Sequence, residues 1–148
     1  MQKAPFFKNG LHFSCTRCSA CCRFDPGFVF LSETDVKRLA SALEMTYTDF
    51  IEVYCRWIPM GGAYEQLSLK ERSNYDCIFW KNGCSVYEAR PLQCRTYPFW
   101  SSIVVSEESW KAVKAECPGI DQGEWHSKEE IETQLSMREK EPIVVRRR

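Results

Sequence analysis

The chain has 148 residues, and its 20 lysines and arginines balance 20 aspartates and glutamates, so it has the length of one domain and no basic excess for coating a duplex or an anionic membrane. No apolar run approaches the roughly 20 residues of a membrane-spanning helix, and the opening Met1-Gln2-Lys3-Ala4-Pro5-Phe6-Phe7 lacks the apolar stretch of a secretory signal. The expected setting is a reducing cytoplasm, with neither nucleic acid nor membrane as a partner, where clustered cysteines hold metal or do redox work more often than they form disulfides.

Residues 1–14 show no clear period and read as an extended lead-in to the first cysteine cluster, Cys15 to Cys22. Phe24, Phe28 and Phe30 surround the breakers Pro26 and Gly27, and Phe28 to Leu31 reads as a short strand or extended segment. Ser32 is a good helix cap, with Asp35 three residues on, where its carboxylate can accept from the cap's own N–H. Val36, Leu39, Ala40 and Leu43 then follow helical spacing, which predicts a helix over about 33–44. A second helix starts near Thr46 or Thr48, buries Phe50, Ile51 and Tyr54, and ends at Cys55.

Pro59, Gly61 and Gly62 break the pattern, and Gln66 to Leu69 is a possible strand. Cys77 to Trp80 and Cys84 to Tyr87 flank Lys81-Asn82-Gly83, whose Asn-Gly pair signals a hairpin turn because both residues accept positive φ. Arg90-Pro91-Leu92-Gln93-Cys94 reads as one helical turn with proline early, where its missing N–H costs nothing, and Tyr97-Pro98 stops it. Phe99 to Val105 and Trp110 to Ala115 resemble two strands joined through Ser106-Glu107-Glu108, and Cys117-Pro118-Gly119 is a sharp turn. Ser127 to Glu130 is a Ser-x-x-Glu capping box. The helix after it has chiefly Ile131 and Leu135 to bury and is expected to pack lightly on the surface. Arg146-Arg147-Arg148 reads as a solvated basic tail.

Chemistry concentrates in the cysteines. In Cys15-x-x-Cys18-x-x-Cys21-Cys22, each two-residue gap lets neighbouring thiolates converge on one ion. Zinc takes four such ligands, and so do iron–sulfur clusters, so the spacing identifies a soft-metal site without choosing the metal. Adjacent side chains of an extended chain point opposite ways. Cys21 and Cys22 therefore suggest two nearby centres, or one ligand beside one free thiol. Cys77, Cys84, Cys94 and Cys117 form a second set, with Cys77 and Cys84 straddling the predicted hairpin as in structural zinc knuckles. The eight thiolates suffice for two four-cysteine sites, or for one cluster plus one zinc. Cys55 stands apart on an apolar helix and reads as a small core residue.

Such sites are anionic when loaded and need donors nearby. Arg17 and Arg23 adjoin the first cluster and Arg90 and Arg95 bracket Cys94, and four arginines so close to ligand candidates favour this role over the alternative of ordinary surface charge. Tyr87 and Tyr97 are either half-buried core aromatics or hydrogen-bond donors to sulfur. Of the two histidines, His12 lies close enough to Cys15 to be weighed as a ligand, with an exposed lead-in residue as the plainer reading. No His-x-x-x-His zinc motif, glycine-rich phosphate loop or Gly-x-Ser-x-Gly elbow occurs.

Taken together, Cys15-x-x-Cys18-x-x-Cys21-Cys22, Cys77-Ile78-Phe79, Gly83-Cys84-Ser85-Val86-Tyr87, the run from Glu88 through Arg90-Pro91-Leu92-Gln93-Cys94-Arg95-Thr96-Tyr97-Pro98-Phe99, and Cys117-Pro118-Gly119 resemble the YkgJ-like CxxCxxCC proteins over about Phe13 to Ile120. That resemblance implies a largely bacterial family chelating zinc or iron. Ser19-Ala20 departs from it, since a glycine commonly precedes the paired cysteines, and Cys55 falls outside the pattern. A similar cluster occurs in the much larger flagellin lysine N-methylases, which points towards protein partners and modification systems.

The expectation is an α+β fold, a small compact domain of short helices and hairpins organised around cysteine-ligated metal. Residues 1–125 would form the cysteine-cluster domain and 126–148 a C-terminal surface helix and basic tail. The metal ligands would be Cys15, Cys18, Cys21, Cys22, Cys77, Cys84, Cys94 and Cys117, holding zinc or iron, with an iron–sulfur cluster among the options. The metal would be structural or assist a partner protein. An iron–sulfur electron-transfer or protein-modification component and a thiol redox sensor are the alternatives, and no catalytic residue stands out.

Overall fold

The computed structural model describes residues 5–15, 28–72, 76–81 and 84–147. It mixes helix and strand, as the sequence predicts, and divides into two compact units. One unit comprises Met1–Ala20 and Thr96–Met137, and the other Cys21–Arg95 and Arg138–Arg148.

In the first unit, β1 (Leu11–Phe13) pairs antiparallel with β4 (Ile120–His126), in the register Leu11↔His126, His12↔Trp125 and Phe13↔Ile120 with an irregularity after His12. The lead-in is thus a strand held by a partner over a hundred residues away, which no local period could announce. Between them lie two short helices, α4 (Ser101–Val104) and α5 (Glu107–Val113), where the sequence suggests strands. The apolar run of Ile103, Val104 and Val105 is too short for period to separate helix from strand. Capping decides it: the Ser106 hydroxyl accepts from Ser109 N–H at 3.1 Å, and Ser109 Oγ accepts from Ser106 N–H at 3.2 Å. Ile103, Val104 and Trp110 turn inward beside Phe7, Phe13, Phe99, Cys117 and Ile120. Phe99 stacks on Trp110, with ring centroids 5.9 Å apart and planes 7° from parallel. Helix α6 (Lys128–Lys140) starts where expected, with Glu130 N–H on Ser127 Oγ. Its Ile131 is fully buried in this core and Leu135 packs against it half-buried, while the other residues of the helix are half-buried or exposed, as its few apolar residues predict.

In the second unit, α1 (Glu33–Ala42) and α2 (Tyr47–Tyr54) follow the predicted pattern, with Ser32 and Thr46 as caps. Leu31, Val36, Leu39 and Phe50 are fully buried, and Leu67, Leu69, Phe79 and Val86 complete this core. The predicted strand extends to β3 (Tyr64–Leu69) and pairs antiparallel with β2 (Cys55–Pro59), a strand not expected from the sequence. Pro59 does not break β2, because it is the last residue of that strand, where its missing donor is tolerated. On the other side of β3 lies β5 (Val145–Arg147), so most of the basic tail is sheet and not free chain. Arg146 Nε donates to Glu65 at 3.1 Å and its guanidinium lies 4.1 Å from the Trp57 ring centroid.

Candidate metal centre

In the first unit, Cys15 stands two residues past the end of β1 and is exposed, whereas Cys117 is buried in the core that holds Ile120 and Trp110. The β1–β4 ladder brings the backbones of these two regions together. Ser14 N–H donates to Gly119 O at 3.4 Å, and Ser14 Oγ accepts from Glu124 N–H at 2.8 Å. Gly119 is required here, because a Cβ on it would overlap the Ser14 carbonyl oxygen. Gly123, at φ 74°, likewise leaves room for the Ser14 hydroxyl. The turn from Cys117 is closed by Ile120 N–H on Cys117 O at 3.3 Å. His12 Nδ1 lies 3.1 Å from Gly123 O, a bond that pins the strand.

In the second unit, Cys77 and Cys84 are half-buried against the core that holds Phe79 and Val86. Cys77 bridges to Glu71 and Cys84 to Trp80, while Trp80 N–H donates to Cys77 O at 2.9 Å and Ser85 N–H to Phe79 O at 2.8 Å. The turn residues Asn82 and Gly83 lie outside the described residues, and the flanking strands shrink to single bridges followed by a 3-10 turn, Tyr87–Ala89.

Cys94 sits on α3 (Leu92–Thr96), the predicted turn after Pro91, with its N–H on Pro91 O at 3.0 Å. This turn is fastened from two directions. Fully buried Asp35 accepts Ser32 N–H at 3.0 Å through Oδ2, and Leu92 N–H at 2.9 Å through Oδ1. Arg38 spans Asp35 Oδ1 and the Arg90 carbonyl, 2.9 Å from each. On the other side the Gln93 amide donates to Phe28 O at 2.8 Å and accepts Phe30 N–H at 3.0 Å. The capping role of Asp35 is legible in the sequence. Its second role on Leu92, and that of Gln93, join segments 57 and 65 residues apart and leave no local signature. Arg138 also belongs to this neighbourhood. Burial holds its guanidinium below the usual arginine range, opposed by the negative field of Asp35, Glu141 and Cys94.

Cys18, Cys21 and Cys22 lie outside the described residues, as do Arg17 and Arg23. Among the described residues no group of three or more His, Cys, Asp or Glu side chains is drawn together as an ion shell. A family model for the CxxCxxCC domain, described as a "Putative zinc- or iron-chelating domain", matches residues 14–118. The chain belongs to the CxxCxxCC family. No solved structure matches it. The CxxCxxCC span starts just before Cys15 and ends just after Cys117, so it takes in all eight cysteine candidates and leaves His12 outside.

Cys55 also lies inside the CxxCxxCC span, and its environment sets it apart. It caps α2, opens β2 and is 6% exposed among core side chains. Burial pushes its thiol up to about 12, with Lys70 pulling weakly the other way. A thiol so reluctant to ionise is a poor metal donor, since the thiolate is the ligating form.

The rest of the described donor set fits zinc or iron. Cys77, Cys84 and Cys94 are half-buried, and their thiolates are the soft donors that zinc and iron take. Arg90 Nε, close before Cys94, is buried with no hydrogen-bond partner among the described residues, and its guanidinium lies 3.8 Å from the Tyr87 ring centroid. A buried donor without an acceptor costs stability unless an anionic group nearby accepts from it, and a thiolate–metal group is such an anion. Arg90 thus fits the role suggested by its position in the sequence, and Tyr87 serves as its platform. Tyr97 packs edge-on against Phe13 and Trp100 as a core aromatic.

Proposed function

We propose that this CxxCxxCC domain holds zinc or iron through thiolates of Cys15, Cys18, Cys21, Cys22, Cys77, Cys84, Cys94 and Cys117, and that the metal is structural or assists a partner protein. The observation that carries this reading is the family match over residues 14–118, which encloses all eight candidates. The environment of Cys55 supports leaving the ninth cysteine in the core.

The chain's own residues supply what such a centre needs. Arg138 feels the field of Cys94, Arg90 precedes Cys94 by four residues, and cations near a thiol favour its ligating form. Asp35, Arg38 and Gln93 fix the turn that carries Cys94. Bound zinc or iron would supply sulfur-bond energy that counts directly as folding energy. A shell closed by four thiolates leaves no position for a substrate, which argues for a structural or partner-assisting metal over hydrolytic catalysis.

Elemental analysis of the full chain, purified without oxygen, tests the reading. Stoichiometric zinc or iron is expected, and Cys94→Ser should lower it. Colourless zinc protein supports the structural role, and broad visible absorption assigns an iron–sulfur centre instead. The proposal fails if neither metal is retained nor taken up when Zn²⁺ or Fe²⁺ is added to the reduced protein.

A further inference from the structure

We propose that the outer face of the β2–β3–β5 sheet is a docking surface for an amphipathic, acidic segment of a partner protein. Side chains alternate across a strand, so the ladder register sorts the sheet into two faces. One face carries Cys55, Leu67 and Leu69 into the core of the second unit. An antiparallel sheet with one face on the core is expected to be polar on the other. The outer face here is largely apolar instead. Across its middle, Ile58, Gln66 and Val145 stand side by side. Met60 N–H donates to Tyr64 O at 3.0 Å and Tyr64 pairs with Arg147, so these three form the next row. In the row on the other side, Ser68 lies between Arg56 and Phe30. Phe28, two residues before Phe30, shares its face, and the two ring centroids are 5.6 Å apart. Four of the eight large hydrophobic side chains that stand exposed among the described residues fall on this one face: Phe28, Met60, Tyr64 and Val145, each 45–52% exposed. Single apolar side chains on a surface are ordinary, but a contiguous patch of them marks an interaction site.

The charges on this face select the occupant. Arg56 and Arg147 stand in its rows, and no carboxylate does among the described residues. The Arg56 guanidinium lies 5.2 Å from the Phe28 ring centroid, and Glu71 reaches it at 3.5 Å. Arg147 is exposed beside Tyr64, whereas Arg146 belongs to the opposite face, where Glu65 pairs with it. A second copy of this chain would bring the same arginines to the contact and no acid to meet them. A nucleic-acid strand needs aromatic platforms for its bases, but the middle row is aliphatic, in a chain with no basic excess. A protein segment with apolar side chains over Ile58 and Val145 and carboxylates towards Arg56 and Arg147 meets both demands. A helix suits the face, because it lays one apolar stripe on a sheet and keeps its flanks for charge. The residue types gathered here, Phe, Tyr, Met and Arg, are also those that interface cores favour. The surface belongs to the sheet and the 28–30 segment beside it, whichever metal the cysteines hold.

The test uses the full-length, isotopically labelled chain as purified and two synthetic helical peptides. Both carry the same stripe of leucine and phenylalanine; one has glutamates along its flanks and the other lysines. The acidic peptide should shift the amide resonances of residues 56–60, 64–68 and 145–147. It should bind about tenfold more tightly than the basic one, through ion pairs gained and like charges avoided. Val145→Glu should abolish this binding, and Arg147→Glu should remove the preference for the acidic peptide. Both positions are exposed, so the variants keep the fold. Equal affinity for the two peptides, shifts confined to other residues, or no binding of either peptide overturns the proposal. So does a single-stranded oligonucleotide that shifts the same amides and binds more tightly than the acidic peptide, which assigns the face to nucleic acid. A wild-type dimer in sedimentation that Val145→Glu dissolves also overturns it, since the face then serves a second copy of the chain.

Discussion

Replacing Asp35 with alanine should destabilise the protein by about 3 kcal/mol, because three donors lose one buried acceptor. Asp35 is fully buried and accepts Ser32 N–H, Leu92 N–H and Arg38 Nη2, at 3.0, 2.9 and 2.9 Å. Half of the capping box survives, since Ser32 Oγ still accepts from the N–H of residue 35, and losing the other half, on Ser32 N–H, costs about 1 kcal/mol. Leu92 N–H, left buried without this acceptor, adds roughly 1–3 kcal/mol. The ion pair with Arg38 adds little, at most about 1 kcal/mol, because the arginine side chain is 32% exposed and water replaces part of what it loses. With a urea dependence of about 2 kcal/mol per molar, the midpoint should fall by about 1.5 M.

Asparagine offers a sharper comparison. Its carbonyl, in the place of Oδ1, can still accept from Leu92 N–H and Arg38 Nη2, but its NH₂ then faces Ser32 N–H, donor against donor. Asp35→Asn should therefore cost about 1–2 kcal/mol, between wild type and alanine. Urea unfolding followed by far-ultraviolet circular dichroism gives the totals, and hydrogen exchange over residues 92–96 shows whether the Cys94 turn loosens first. An Asp35→Ala midpoint equivalent to less than about 0.5 kcal/mol of change would refute the reasoning, since a surface substitution does as little.

Ser106→Ala should lower stability by about 1 kcal/mol in thermal or urea unfolding, because α5 loses its cap. Gly119→Ala must displace the Ser14 carbonyl and should cost about 1–3 kcal/mol, with faster hydrogen exchange across β1 as its mark. The Cys55 thiol is raised in the fold from 9.0 to about 12, so the folded state keeps a proton that the unfolded chain releases. Its contribution to stability is complete below pH 9.0 and is lost as pH rises towards about 12, and unfolding midpoints measured across that window should decline less steeply in Cys55→Ala. Iodoacetamide at pH 8 should modify Cys55 far more slowly in the native than in the urea-unfolded protein.

What the sequence discloses and what it hides divide along the range of the interactions responsible. Helices α1 and α2 are legible because their caps and apolar stripes lie within one window, and α3 because proline and its neighbours mark a turn by themselves. Strands β1, β4 and β5 are not, since β1 and β5 are only three residues long, β4 is largely exposed, and each is defined only by a distant partner. The mismatch at α4 and α5 has another cause: a three-residue apolar run carries no period, and Ser106 stands where two strands would need a loop, so a helix cap reads as a connection. For the candidate site, the cysteine spacings disclose the donors. The groups that hold them do not show, because Asp35 on Leu92 and Gln93 on the 28–30 segment are contacts across 57 and 65 residues.

This division bears on why such a chain would employ metal at all. Each unit has its own apolar core, one around Phe99, Trp110 and Ile131 and the other around Leu39, Phe50 and Leu67. Small separate cores supply few kcal/mol beyond the entropy of ordering the chain. The described candidate ligands stand outside the longer helices and strands: just past β1, at the Cys117 turn, in the single bridges at Cys77 and Cys84, and on the one-turn α3. Hydrogen bonds already hold the backbone at several of these points, through Gly119, Asp35, Arg38 and Gln93. On the proposed reading those contacts orient the sulfurs before metal arrives, so metal binding adds its free energy to a chain that has little ordering left to do. Metal removal should then loosen α3 and the Cys77–Cys84 region, as read by hydrogen exchange, while α1 keeps its protection. Uniform loss of protection across both cores would instead mean that the metal drives the folding of the whole chain.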